Sequence, residues 1–226
     1  MNTNSQQLSA NSLKIGCLHY ITTSPEQAER ACAGGVRWVQ LRVKNTPSPQ
    51  WKQLALDTQA VCRKYGVTFI LNDNPQLALE IGADGVHLGQ EDMSPAEARQ
   101  LLGPEFIIGG TANTFEHIKK LVAAGVDYIG LGPFRFTSTK ERLSPILGME
   151  GYQALLAQHR AAGFATPIIS IGGITLADVS PLLAAGLHGV AVSGAITGAA
   201  DPVAVAAQFV DCLPVLAESR ERTDVC

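Results

Sequence analysis

The sequence predicts an α/β chain folded as a (β/α)8 TIM barrel, and three observations carry that expectation. Short β-rich runs alternate with helical patterns along all 226 residues. The runs number eight, at 15–21, 36–42, 68–71, 85–88, 106–109, 128–131, 167–171 and 190–192, a natural closure number for a barrel. Several are almost wholly apolar, as parallel strands covered on both faces are. A doubly wound open sheet uses the same alternation, but no GxGxxG follows the first strand.

The helices announce their own ends. Ser24-Pro25-Glu26, Ser94-Pro95-Ala96-Glu97 and Asp201-Pro202 each set a capping side chain before a proline at the first helical position. A weak repeat marks the exits: Ala33-Gly34-Gly35-Val36, Ile81-Gly82-Ala83-Asp84-Gly85, Ala124-Gly125-Val126-Asp127 and Ala185-Gly186-Leu187-His188 each join a helix end through glycine to the next strand. Seven helices fit between the strands, with a last one at 202–212. Residues 13–213 read as one catalytic barrel domain, flanked by tails at 1–12 and 214–226.

Size and composition narrow the function. A chain of 226 residues buries the core of one large domain. The net charge of −3 and few aromatics argue against a nucleic-acid face. No run approaches the ~20 apolar residues that span a bilayer, and the polar start Met1-Asn2-Thr3-Asn4 lacks a signal core. Five cysteines, Cys17, Cys32, Cys62, Cys212 and Cys226, form no CxxC pair or zinc spacing. They read as reduced thiols, mostly small core residues, of a cytoplasmic protein. A homo-oligomer is left open.

In such a barrel the active site forms at the C-terminal strand ends, so the polar residues there matter most. The second strand ends Gln40-Leu41-Arg42-Val43-Lys44, with alternate residues on one side. Arg42 and Lys44 suit a multiply charged phosphate, one as a fork and one as a point charge; snorkelling surface cations are the plainer reading. The third strand leads into Asn72, Asp73 and Asn74, of which Asn74 before Pro75 reads as a helix cap. The fourth continues as His87-Leu88-Gly89-Gln90-Glu91-Asp92. Asp73 and Asp92 on adjacent loops, beside cations, fit Mg2+, which keeps waters and substrate phosphates in its shell. His87 reads equally as a packing histidine or a substrate contact. Thr111 brings a hydroxyl after the fifth strand.

The sixth strand runs into Gly132-Pro133-Phe134-Arg135-Phe136-Thr137-Ser138-Thr139-Lys140, the start of a connection reaching about 148. That is longer than a plain strand-to-helix link. It reads either as a solvated loop or as an anion-binding lid that is not ordered over 137–148 without ligand. Gly173 after the seventh strand, and Ser193 and Gly194 after the eighth, mark the usual phosphate cup of this fold. The sum is two anion sites, with no nucleophile paired to a base and no lysine inside a strand. Displacement of a phosphate leaving group under Mg2+ suits that set best.

These motifs resemble the thiamine-phosphate synthase family, also called thiamine-phosphate pyrophosphorylase. Gln-Leu-Arg-x-Lys, Asn-Asp, Gly-Val-His-Leu-Gly-Gln-Glu-Asp, Gly-Pro-x-x-x-Thr-x-Thr-Lys and Gly-Gly-Ile all occur in family order between about 18 and 196. The resemblance implies a transferase joining 4-amino-5-hydroxymethyl-2-methylpyrimidine diphosphate to a thiazole phosphate, by loss of diphosphate and then attack of the thiazole nitrogen. It assigns Gln40, Arg42, Lys44 and Asn72 to the pyrimidine diphosphate and Asp73 and Asp92 to Mg2+, with Thr111 in the family's serine position. Thr137, Ser138 and Thr139 would meet the thiazole phosphate and Lys140 the departing diphosphate. Gly173, Ser193 and Gly194 would hold the thiazole's phosphate. Arg42, Lys44 and Lys140 become the catalytic cations.

Three positions depart from the family pattern. The first strand reads Ile21-Thr22-Thr23 where an Asp commonly follows the Thr. Threonine stands at 111 for serine, and the serine of the eighth strand has moved to Ser193, one residue before Gly194-Ala195-Ile196. A related thiazole tautomerase shares the barrel but would not need the full diphosphate and metal set. A non-catalytic barrel that binds phosphate ligands is the reading from another class.

Overall fold

A computed structural model describes residues 15–44, 46–137 and 144–213. The expected tails at 1–12 and 214–226 lie outside the described residues, as do Ser138, Thr139 and Lys140. The first half runs β1 (Leu18–Thr22), α1 (Pro25–Ala33), β2 (Trp38–Leu41), α2 (Ser48–Tyr65), β3 (Thr68–Asn72), α3 (Pro75–Ile81), β4 (Gly85–Leu88) and α4 (Pro95–Leu102). The second runs β5 (Ile107–Ala112), α5 (Phe115–Ala123), β6 (Tyr128–Leu131), α6 (Gly148–Ala161), β7 (Ile168–Ile171), α7 (Val179–Ala185) and β8 (Gly189–Val192), then α8 (Gly194–Thr197) and α9 (Pro202–Asp211). The strands pair in parallel in chain order and β8 closes on β1, so the predicted (β/α)8 barrel is the fold observed.

Local chemistry explains the boundaries. Ser24, Asn74, Ser94 and Asp201 each accept a backbone N–H from the first turn of the helix they precede. Gly82 and Gly186 end α3 and α7 at φ 63 and 104, a left-handed region that a side chain would strain. β2 begins at Trp38, later than expected, because the Val36 N–H is used on the Ala31 carbonyl to finish α1. β5 runs past its expected end and takes Gly110, Thr111 and Ala112 into the sheet. A Cβ on Gly109 would stand 2.2 Å from Cζ of Tyr128, so glycine lets that ring cross the lumen.

Period-two alternation divides the core. Ile70 points into the barrel with Ile15, Ile21, Trp38, Ile107, Tyr128, Ile169 and Ala191. Its neighbours Phe69 and Leu71 face outward to the helix layer. Cys17, Cys32 and Cys62 are buried free thiols, as expected, while Cys212 is exposed. Among the described residues no helix is long and apolar enough to cross a membrane.

At the N-terminal end of the barrel, polar side chains serve the scaffold. Asp84 accepts the Phe69 N–H at 2.7 Å, and His188 donates from Nε2 to the Ile15 carbonyl at 2.8 Å. Fully buried Asp127 accepts the Ile108 N–H at 2.8 Å and Nη2 of Arg99 at 2.6 Å.

Candidate active site

The other end of the barrel opens into a cavity of about 690 Å3. Its floor comes from inward positions at the strand ends: Ile21, Gln40, Asn72, His87, Thr111, Ile171 and Ala191. Arg42, Lys44, Asp73 and Asp92 line one wall; Gly173, Ser193, Gly194 and Thr137 line another. β3 and β7 are four strands apart in a ring of eight, so the acidic-cationic wall and the glycine wall face each other.

On the first wall, buried Gln40 donates from Nε2 to Oδ1 of buried Asn72 at 2.7 Å, fixing both amides. Asp73 follows in the left-handed region at φ 64, the only non-glycine with positive φ among the described residues. That conformation costs about 1–3 kcal/mol, and the Asp73 N–H donates to the His87 carbonyl at 2.9 Å while its carboxylate meets the Lys44 ammonium. Asp92 accepts the Gly89 N–H at 2.7 Å and shares a hydrogen bond with Asp73. Burial, and then that shared bond, push the Asp92 carboxyl up to about 6. Burial also raises Asp73, but the bond to Asp92 and the Lys44 ammonium outweigh it and hold Asp73 below the usual carboxylate range. The two acids therefore divide one proton unequally at mildly acidic pH.

Among the described residues no group of three or more His, Cys, Asp and Glu is gathered as a metal cage. A pair of acids is nonetheless a fitting donor set for Mg2+, which takes one or two carboxylates and fills its shell with water and phosphate oxygens. The raised proton affinity of Asp92 comes first from burial and then from the Asp73 carboxyl beside it, and a bound cation would oppose both.

His87 is wired into the floor. Its Nδ1 lies 3.0 Å from the Tyr128 hydroxyl and its Nε2 lies 3.0 Å from Oγ1 of Thr111. The buried Tyr128 O–H needs an acceptor, and Nδ1 is the one in reach. With that tautomer Nε2–H donates to Thr111, whose own proton is then available to an acceptor in the cavity. His87 thus packs on Tyr128 while lining the cavity beside the Thr111 hydroxyl, a place compatible with either of its two expected roles. Gln90, whose side chain donates to the Thr111 carbonyl, ties the β4 loop to the same residue.

On the opposite wall, Gly172 and Gly173 hold φ of 96 and 70. A Cβ on Gly172 would lie 2.7 Å from that of Pro133, so only glycine lets the β6 and β7 loops touch here. Ser193 and Gly194 open α8, a short helix that the sequence reading did not separate from the turn. The first N–H groups of a helix lack intrahelical acceptors, and Ser193, Gly194 and Ala195 line the cavity where they start. Tyr20 anchors that helix through Thr197, hydroxyl to hydroxyl at 2.7 Å.

The β6 connection is pinned at both limbs. Asn113 donates from Nδ2 to the carbonyls of Gly132 and Pro145, each at 2.9 Å. The Leu147 N–H returns to the Pro133 carbonyl at 2.9 Å. Of the connection expected to lack order without ligand, 137–148, these bonds hold the returning limb near 147–148, and 138–143 lie outside the described residues. Phe136, 71% exposed, and Thr137 reach the cavity; the predicted Ser138, Thr139 and Lys140 lie outside the described residues.

A family model described as thiamine monophosphate synthase matches residues 17–196, a span that contains every wall residue from Ile21 to Ala195. The chain belongs to the thiamine monophosphate synthase family. It is similar to the thiamine-phosphate synthase of Phocaeicola vulgatus, 52% identical over 179 residues that cover 79% of this chain and 86% of that one. The thiamine-phosphate synthase of Flavobacterium johnsoniae is 53% identical over 168 residues, covering 74% and 79%. Among solved structures, a thiamine phosphate pyrophosphorylase from Pyrococcus furiosus superposes with a TM-score of 0.77 at 28% identity, covering 89% of this chain and 96% of that one. The chain is an enzyme of this family, a transferase.

Family membership leaves several site residues unmarked by the sequence reading. Asn113 carried no signal, since its partners lie 19 and 32 residues away. Asp178 was legible as the closing residue of Thr175-Leu176-Ala177-Asp178, a capping box that the structure contains. Arg135, its ion-pair partner, was quoted only as part of a loop.

Proposed function

We propose that this enzyme joins 4-amino-5-hydroxymethyl-2-methylpyrimidine diphosphate to a thiazole phosphate, releasing diphosphate and thiamine phosphate in an Mg2+-dependent reaction. The observation that carries this reading is one cavity with two unlike anion-suited walls facing each other, Arg42, Lys44, Asp73 and Asp92 against Gly173, Ser193 and Gly194. A single-substrate phosphate enzyme needs one such wall; a coupling of two phosphorylated partners needs both.

Gln40 and Asn72, locked to each other, present their remaining amide groups to the pyrimidine side. Arg42 and Lys44 meet the diphosphate oxygens, Arg42 as a fork and Lys44 as a point charge. Asp73 and Asp92 hold Mg2+, which when bound neutralises charge growing on the leaving diphosphate. The carbon–oxygen bond to diphosphate breaks and its electron pair leaves with the diphosphate oxygen. The thiazole nitrogen then supplies the pair for the new carbon–nitrogen bond. No proton is removed, so no general base is required. The donors are fixed before reaction, which is what makes electrostatic stabilisation effective. Gly173, Ser193 and Gly194 receive the thiazole's phosphate on backbone N–H groups, so the displaced serine side chain is not essential. By the family pattern, Thr137, Ser138 and Thr139 would meet the thiazole phosphate and Lys140 the departing diphosphate.

The test is one assay of purified protein with both substrates, with and without Mg2+, scored for thiamine phosphate. Product that requires the metal supports the reading; absence of product under any divalent cation overturns it. Lys140→Ala is expected to lower turnover by about 10²–10³-fold while thiazole phosphate binding changes far less. Parent-like turnover in that variant would remove Lys140 from the mechanism.

A further inference from the structure

Arg135 joins two loops that both border the cavity. Its Nη1 and Nη2 donate to Oδ2 and Oδ1 of Asp178, each at 2.5 Å, in a two-pronged fork. Nη1 also donates to the Gly173 carbonyl at 3.1 Å. The Arg135 backbone N–H donates to the Gly172 carbonyl at 2.9 Å, and that of Phe134 to Ile171 at 2.9 Å. Asp178 is itself fixed, accepting the Thr175 N–H at 2.8 Å and its hydroxyl at 2.7 Å. The guanidinium lies over the Phe134 ring, 4.7 Å from its centre. A Cβ on Gly173 would stand 2.8 Å from that of Arg135, so turn and loop are already in contact.

This is more restraint than two surface loops need to stay folded. The Arg135 side chain is 49% exposed and is absent from the barrel core, so the fold does not rest on it. What the fork does fix is the Gly172-Gly173 turn, at its second carbonyl and at Asp178, three residues after the Thr175 cap of the following segment. That turn is half of the glycine wall.

We infer that Arg135 is a positioning residue for the thiazole-phosphate side: through Asp178 and the Gly173 carbonyl it holds the Gly172-Gly173 turn in the shape that receives the phosphate. The inference rests on the assignment of that wall under the proposed function. It adds a residue that touches neither substrate and acts on only one of them. Backbone donors aimed at an anion are effective only when held in place before binding, and small misplacements cost much of that effect. A lysine would keep the charge but lose the fork.

The experiment compares Arg135→Ala, Arg135→Lys and the parent in steady-state kinetics with each substrate varied, alongside thermal unfolding and calorimetric binding of thiazole phosphate to the enzyme. The expected result is a rise of about tenfold in KM and Kd for thiazole phosphate in Arg135→Ala. The KM for the pyrimidine diphosphate, kcat at saturation and Tm should stay close to the parent's, with Arg135→Lys in between. Equal rises in both KM values, a fall in kcat alone, or unchanged thiazole phosphate binding would each overturn the inference. Failure of the functional reading looks different. The parent itself then makes no product, and the calorimetric comparison of parent and Arg135→Ala still decides whether Arg135 shapes the phosphate site.

Discussion

Asp127 and Asp92 are both aspartates at the ends of barrel strands, and their surroundings differ in kind. Asp127, before β6, is fully buried with a backbone N–H and the Arg99 guanidinium directed at it. Asp92, after β4, has one backbone N–H and another acid, Asp73, for company. The first arrangement is complete as it stands. In the second, burial first and then the neighbouring Asp73 raise Asp92 to about 6, a state relieved by a cation or a proton. The same contrast runs round both rims: Asp84 and His188 are consumed by neighbouring backbone, while Arg42, Lys44 and Thr111 line a cavity. Residue type alone does not separate stability from chemistry here; the end of the strand does.

Substitution can break that contrast. Asp92→Ala is expected to lower turnover by about 10³-fold, worth about 4 kcal/mol of transition-state stabilisation, with Tm at or above the parent's because a repulsion is removed. A large loss of Tm would place Asp92 with the scaffold residues instead. Asp127→Ala should do the reverse, costing about 2–3 kcal/mol in urea unfolding while the folded enzyme keeps its kcat. Arg99 is a quarter exposed and can turn to water, which keeps the loss below that of a fully buried pair.

Tyr128→Phe sits between the two ends and sharpens the comparison. It removes the donor to His87 Nδ1, at about 1 kcal/mol of stability, and frees His87 to change tautomer. A several-fold rise in KM for the pyrimidine diphosphate should accompany it, read from initial rates; an unchanged KM would confine His87 to packing.

The smallest effect tests a scaffold-like pair at the catalytic rim. The hydrogen bond from Arg135 holds the Asp178 carboxyl at about 2, below its ordinary value of 3.8. A depressed carboxyl adds stability above the ordinary pKa and loses it as pH falls through the folded one. The stability difference between the parent and Asp178→Asn, under about 1 kcal/mol because Arg135 is half exposed, should therefore be full at pH 5 and shrink between about pH 4 and 2. Urea unfolding across that range checks it.

Much of this was legible in the chain itself, and the exceptions share a cause. Gln40, Arg42 and Lys44 stand two apart, so strand periodicity alone puts them on one side. Ser24, Asn74 and Ser94 sit before prolines and declare their helices. Local rules reach that far. The Arg135–Asp178 pair, the Tyr128–His87 bond and the span of Asn113 join residues 43, 41 and up to 32 apart, and only barrel closure makes them neighbours. The left-handed backbone of Asp73 was hidden for a related reason, since its N–H is held by the next strand and not by its own turn.

One amide has an evolutionary consequence. Because Asn113 grips the chain both where it leaves at Gly132 and where it returns at Pro145, the segment between starts and finishes at one place. Lengthening a loop whose ends are already joined costs little, about 0.6 kcal/mol for each doubling. A change of chain length between Gly132 and Pro145 therefore leaves both ends, and the strands they belong to, where they are. Related barrels can thus differ in length between these two anchors and still keep both walls in register.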